Sequence, residues 1–237
     1  RNWSAEMPPP DEMKRQAREM LAYGGSFAAL AGVSAISMYG DRWTLQFLFG
    51  ARELGIYSAL YQVANAPITL VGGFVSQLTV PVVFERAGAL TSEHQLHRSK
   101  AFLYKAVSLF AVVMACGAVM AALLSRPVVR LLTSSVIAEH HSLLWIIFLG
   151  IAVFQIAQQT AVVGQIHKRT SVYIPAFAVN AAATVLLSLL LGRRYGIGGV
   201  AVALLISNSL HLAAILMINR IIAKSETSKL KFVASAT

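Results

Sequence analysis

The chain has 237 residues, 57% of them hydrophobic and only 13% charged, with a formal net charge of +10. A soluble domain carries roughly 25% charged residues, so this composition, with its mean hydropathy of +0.64, excludes an ordinary soluble fold. The basic excess does not mark a nucleic-acid partner, because Lys and Arg gather at the ends of apolar runs, where membrane topology places them.

Taken in order, residues 1–12 are polar, and Pro8, Pro9 and Pro10 favour an extended linker. Asp11 is a candidate N-cap for a charged, surface-lying helix start that leads into the first apolar run, 21–49. That run is longer than the roughly 20 residues of a straight crossing. A tilt, an interfacial overhang or a kink is therefore expected, with Gly40 as a weak point. A turn at 50–53 leads to the second run, 54–84, where Pro67 and the Gly72-Gly73 pair predict a kink. A polar connection at 85–100 precedes the third run, 101–124. An amphipathic connector at 125–141 then carries Arg126, Pro127, Arg130, Glu139, His140 and His141.

The fourth run, 143–166, closes on His167, Lys168 and Arg169. The fifth and sixth, 172–191 and 200–222, flank a turn at 192–196, and the basic tail, 223–237, is expected to be poorly ordered. The sequence therefore reads as an all-α, polytopic integral membrane protein, with one lobe of six transmembrane helices over 13–222. A membrane β-barrel would instead show short alternating segments. Membrane lipid is the first partner this implies.

Six spans put both termini on one side. Of the 20 Lys and Arg residues, 14 fall on that side and five on the other, with Arg42 set deeper. This bias predicts cytoplasmic termini. Cys116 is alone inside an apolar run, so it reads as a small packing hydrophobe and leaves the redox compartment open. The chain opens at Arg1 on what looks like the end of a loop, so it is expected to be the C-terminal part of something longer.

Two polar constellations stand out in the apolar background. On the second run, Ser58, Gln62, Asn65, Thr69, Gly72, Ser76 and Thr79 are spaced 4, 3, 4, 3, 4, 3 and draw one stripe along a helix, bordered by Tyr57 and Tyr61. Such a stripe is either a helix–helix seam or the lining of a cavity. The amides of Gln62 and Asn65 lean it toward water. On the first run, Asp41 and Arg42 sit side by side in apolar sequence, where a charge costs a few kcal/mol on insertion scales. They are either an interfacial ion pair, with Arg42 snorkelling to the headgroups, or an internal pair facing an aqueous cavity. Arg42, with Gln46 one turn on, could hold a phosphate or an acidic sugar through its planar fork of donors. Asp41 could take a coupling proton or cation.

The later runs repeat the theme. Gln155, Gln158 and Gln159 interrupt the fourth, Asn180, Thr184 and Ser188 share a face of the fifth, and Ser207, Asn208 and His211 mark the sixth. Each set alone reads as packing glue before it reads as a binding site. Chemistry-bearing patterns do not emerge. His94 and His97 lack the Glu or Cys neighbours of a metal site, and His140 and His141 are adjacent, so they diverge on a helix. No enzyme activity, cofactor or metal is read from the sequence.

Asp41-Arg42, Gly50, then Glu53-Leu54-Gly55-Ile56-Tyr57-Ser58-Ala59-Leu60-Tyr61, together with Gly-Ile-Gly-Gly-Val-Ala-Val-Ala at 196–203, form a pattern across most of the chain. It resembles the C-terminal six-helix lobe of polysaccharide flippases (the Wzx-type exporters) in the multidrug/oligosaccharidyl-lipid/polysaccharide (MOP) exporter superfamily. The resemblance implies two six-helix lobes around a hydrophilic cavity. It also implies export of lipid-linked sugars of the undecaprenyl-diphosphate type across the bacterial inner membrane by alternating access. The stripe and Arg42 would face that cavity. Only one lobe is present, so an N-terminal lobe or a second subunit is the expected partner. A small-molecule antiporter of the same superfamily, and a non-enzymatic scaffold of a polysaccharide-assembly complex, are the alternatives. A membrane glycosyl- or acyltransferase is the weakest reading.

Overall fold

In lipid every backbone N–H and C=O must be satisfied internally, and a helix does so within one segment. Each apolar run is accordingly helical. The computed structural model describes residues 10–87, 93–166 and 170–234, and there is no strand among the described residues. The helices are α1 (Pro10–Phe49), α2 (Ala51–Ala87), α3 (Glu93–Leu132), the single-turn α4 (Ser135–Ala138), α5 (Leu144–Ile166) and α6 (Ile174–Ala234). Short 3-10 turns at His141–Leu143 and Thr170–Tyr173 lead into α5 and α6.

Four stretches among the described residues are long and apolar enough to cross a membrane: Ala51–Glu85, Arg98–Leu132, His141–Gly164 and Ser171–Ala223. The protein is thus of the all-α membrane class that its composition indicates. The last stretch covers 53 residues and contains both the fifth and the sixth apolar run. The two arms of α6, 174–195 and 197–234, reverse at Gly196, whose φ of 63° and ψ of −147° strongly disfavour a residue with a Cβ. The α1–α2 turn is equally economical. Gly50 alone lies between the helices, at φ 84°, and its N–H donates to the carbonyl of Gln46 at 3.1 Å.

Several boundaries differ from the sequence reading. α1 starts at Pro10, so Asp11 lies in the first turn and does not cap it; proline, lacking an N–H, suits a first helical position. α1 continues through Gly40, and α2 through Pro67 and Pro81, without a break in helical assignment. The polar connections are shorter than expected because α3 absorbs both flanks of its apolar run, reaching from Glu93 past Pro127 to Leu132. α6 likewise runs to Ala234, since no Gly or Pro interrupts 200–234. The linker 1–9, and His167, Lys168 and Arg169, lie outside the described residues, as do the side chains of His94 and His97.

α5 is the hub. It packs against α2, α3 and α6, while α1 lies against α6 and α2. An enclosed helix should be apolar nearly all round, and α5 is, apart from its glutamines and Thr160. The main core joins Leu45 of α1, Tyr57, Leu60 and Ile68 of α2, Phe110 of α3, Ile147 and Phe148 of α5, and Val200 and Leu204 of α6. Large apolar side chains also cover the outside; Phe47, Leu78 and Leu123 are each more than 70% exposed. An apolar exterior over an interior holding polar groups suits a hydrocarbon solvent.

Candidate functional site

The site begins at the α1–α2 corner. The tight turn at Gly50 folds the last two turns of α1 onto the start of α2, which brings position 41 opposite position 57. Asp41 is fully buried. Tyr57, also fully buried, donates its phenol to Asp41 Oδ2 at 2.7 Å, and the backbone N–H of Arg42 donates to Oδ1 at 2.8 Å. Both carboxyl oxygens are therefore engaged, which is what makes the burial tolerable.

The Arg42 side chain takes a different course. Its guanidinium carbon lies 3.8 Å from the ring centroid of Tyr61 and 5.3 Å from that of Tyr39. These are cation–π distances. Its Nε is buried with no hydrogen-bond partner among the described residues. Asp41 and Arg42 make no direct salt bridge in this geometry: the acid is hydrogen-bonded by a phenol and backbone, and the base lies on aromatic faces. Tyr39, one turn before Arg42, belongs to the constellation and escaped the sequence reading, because an aromatic in an apolar run carries no distinguishing signal. Replacing Tyr57 by Phe removes the one side-chain partner of a buried acid; we expect a loss of about 1–3 kcal/mol, read as a lower thermal midpoint in detergent.

The α2 stripe divides in two. Along its first half, Gln62 and Thr69 are exposed and Ser58 and Asn65 half-buried, with Thr69 Oγ1 donating to Asn65 Oδ1 at 3.2 Å. Along its second half, Gly72 and Thr79 are buried, and Gln159 of α5 donates its Nε2 to Gly72 O at 3.1 Å and to Ser76 Oγ at 2.6 Å. The first half is an open face and the second a seam. Where they meet, two adjoining cavities of about 500 and 340 Å³ share Thr69 and Gly73. The first is lined also by Asn65 and Gln77 and by the apolar Ala66, Leu70 and Phe74, the second by Gly72, Ser76, Gln155, Gln158 and Gln159 with Val80 and Val162. No charged side chain lines either. Gln77 was missed because it lies off the stripe.

Among the other predicted residues, Gln46 is exposed one turn from Arg42. Gln155 and Gln159 reach the groove, and Asn180 does not. Asn180, Thr184 and Ser188 are fully buried between helices. Asn180 Nδ2 donates to Asn208 Oδ1 at 3.4 Å, and Asn208 Nδ2 to Gly150 O at 3.1 Å, so this set ties α5 to both arms of α6. His211 belongs to the same interior, with Nδ1 3.3 Å from Ala176 O and its ring against Phe154 and Phe177. A further tie, Tyr173 to Asn219 to the carbonyl of Thr160, joins the 3-10 turn before α6 to the second arm of α6 and to α5, and was not read from the sequence. No group of three or more His, Cys, Asp or Glu that could hold a metal occurs among the described residues.

Chemically the site offers one guanidinium on an aromatic bed, and, one helical turn further along α2, a groove in which neutral amides and hydroxyls stand among apolar side chains. The model of a family described as "Polysaccharide biosynthesis protein" matches residues 3–142, more than half of the chain, from before α1 into the turn that precedes α5. No curated protein and no solved structure matches it.

Proposed function

The chain belongs to the polysaccharide biosynthesis protein family, and from that premise we propose that it is a transporter that moves lipid-linked oligosaccharide or polysaccharide precursors across the bacterial inner membrane by alternating access. The observation that carries the proposal is the open half of the α2 stripe with its groove. It lies near the middle of a helix long enough to span a bilayer, where a polar face needs water or a second polar surface. As the wall of a transport cavity it has both. Neutral amides and hydroxyls offer donors and acceptors to sugar hydroxyls without fixing them. Arg42 lies about 12 Å along α1 from the Gly50 turn, and offers a cation to the diphosphate of an undecaprenyl-type carrier. The other wall is a second six-helix lobe, N-terminal to this one or in another subunit. In this reading Asp41 holds Tyr57, and through it the start of α2, in place; both termini are cytoplasmic.

The second reading extends the Gln159 seam, which lies within this chain, to the open half: there the face would meet another protein, as in a non-enzymatic membrane scaffold. Cysteine accessibility separates the two. With the native Cys116 replaced by Ser, single cysteines at Ser58, Gln62, Asn65 and Thr69 should react with a membrane-impermeant maleimide in native membranes, while Thr79→Cys stays protected. Protection at all four open-half positions would sink the transport reading.

A further inference from the structure

Away from the α2 groove, the C-terminal end of α3 and the turns that follow border an open basin of about 770 Å³, lined by Arg126, Arg130, Ser135, Ala138, Glu139 and His141. Arg126 and Arg130 are one helical turn apart, so both guanidiniums stand on one face of α3. Neither takes part in an ion pair among the described residues, and Glu139 is the single acid on the wall. The frame around them is tied down by its own hydrogen bonds. Thr133 N–H and Oγ1 both donate to Val129 O, at 2.9 and 2.6 Å; Ala138 N–H donates to Ser134 O and His140 N–H to Ile137 O. Ser125, buried beneath, has its Oγ 3.1 Å from His141 Nδ1, which fixes that ring to the end of α3. Buried Val129 and Ala138 join the main core.

The basin also stands at an apolar boundary. Arg126 and Arg130 close a stretch long and apolar enough to cross a membrane, and Leu131 beside them is 84% exposed. Two guanidiniums that join no ion pair among the described residues, on a fixed frame at the edge of an apolar surface, match a phosphate better than a carboxylate or a sugar hydroxyl, since a phosphate accepts from both forks at once. We infer that this basin is a second, peripheral binding site for a phosphate or diphosphate group at the membrane–water interface, separate from Arg42 and the α2 groove. The shared chemistry admits two sources, a lipid headgroup or a phosphate in solution.

The full chain, purified in detergent, distinguishes them with two probes. Inorganic pyrophosphate is measured by equilibrium dialysis, and retention of phosphatidylglycerol over phosphatidylcholine by native mass spectrometry. Whichever probe binds, Arg126→Gln/Arg130→Gln should weaken it at least about tenfold, as loss of two charge-assisted contacts requires. Glu139→Gln should tighten it, about threefold, by removing the one repulsive group. Arg193→Gln/Arg194→Gln, an equal loss of charge elsewhere, should leave it within about twofold. Binding of pyrophosphate identifies a soluble phosphate source; selective retention of phosphatidylglycerol without it identifies a headgroup. Absence of binding by both probes, equal losses in the two double variants, or no tightening with Glu139→Gln overturns the inference.

Discussion

Replacing Arg42 by Ala should reduce surface polysaccharide at least about tenfold in cells that depend on this protein, because a charge-assisted contact to a phosphate is worth roughly 1.5–3 kcal/mol. The variant should still insert and fold. Arg42 is half-buried and makes no direct salt bridge with Asp41, whose carboxyl oxygens keep their bonds to Tyr57 and to the Arg42 backbone N–H when the guanidinium is removed. Its stacking on Tyr61 and Tyr39 contributes about 0.5–2 kcal/mol at most. Arg42→Lys keeps the charge but loses the fork and the flat face, and should fall between wild type and Ala. The measurement is surface polysaccharide against the level of membrane-inserted protein. An unchanged ratio in Arg42→Ala removes this residue from the transport path.

Among the described glycines, Gly199→Ala should be strongly damaging, because the added methyl meets backbone. A Cβ at 199 would stand 2.0 Å from the carbonyl oxygen of Leu191 and 2.5 Å from its carbon, both backbone atoms of the other arm of α6. Side chains can rotate out of an overpacked site, at a cost of about 1–3 kcal/mol; a helix backbone cannot, so the expected loss is about 3 kcal/mol or more. The arms must separate, which shifts 197–234 against α5 and strains the Asn180–Asn208–Gly150 tie. Gly198→Ala is the internal control, since its Cβ meets only Leu143 Cδ2 at an ordinary 3.7 Å. Thermal midpoint and folded yield in detergent should drop sharply for Gly199→Ala and stay near wild type for Gly198→Ala. Equal midpoints would mean that the arms are not held this closely.

Both expectations turn on placement. Arg42 matters because it is the cation set deepest in an apolar run, which is visible in the sequence. Gly199 matters because of a carbonyl eight residues earlier, which is not. The sequence places a turn at 192–196; the structure makes the reversal at Gly196 alone and assigns the close approach to Gly199.

The class and the rods follow from the chain's own pattern of residues. Apolar runs long enough to cross a bilayer leave the backbone no choice but helix, and the 3.6-residue period collects Ser58 through Thr79 onto one face whatever surrounds it. The same pattern marks Asp41 and Arg42, because two charges in apolar sequence must be accounted for. What satisfies them depends on how the helices pack. Adjacent residues on a helix point about 100° apart, so Asp41 turned inward to Tyr57 while Arg42 turned onto Tyr61 and Tyr39, and the ion pair suggested by adjacency did not form. The stripe, uniform in sequence, was divided by its neighbour: α5 approaches α2 closely enough at Gly72 for Gln159 to bond across, and leaves Asn65 and Thr69 beside an open groove. Helical period is a property of the chain alone; whether a polar face meets another helix or an opening depends on where that other helix lies.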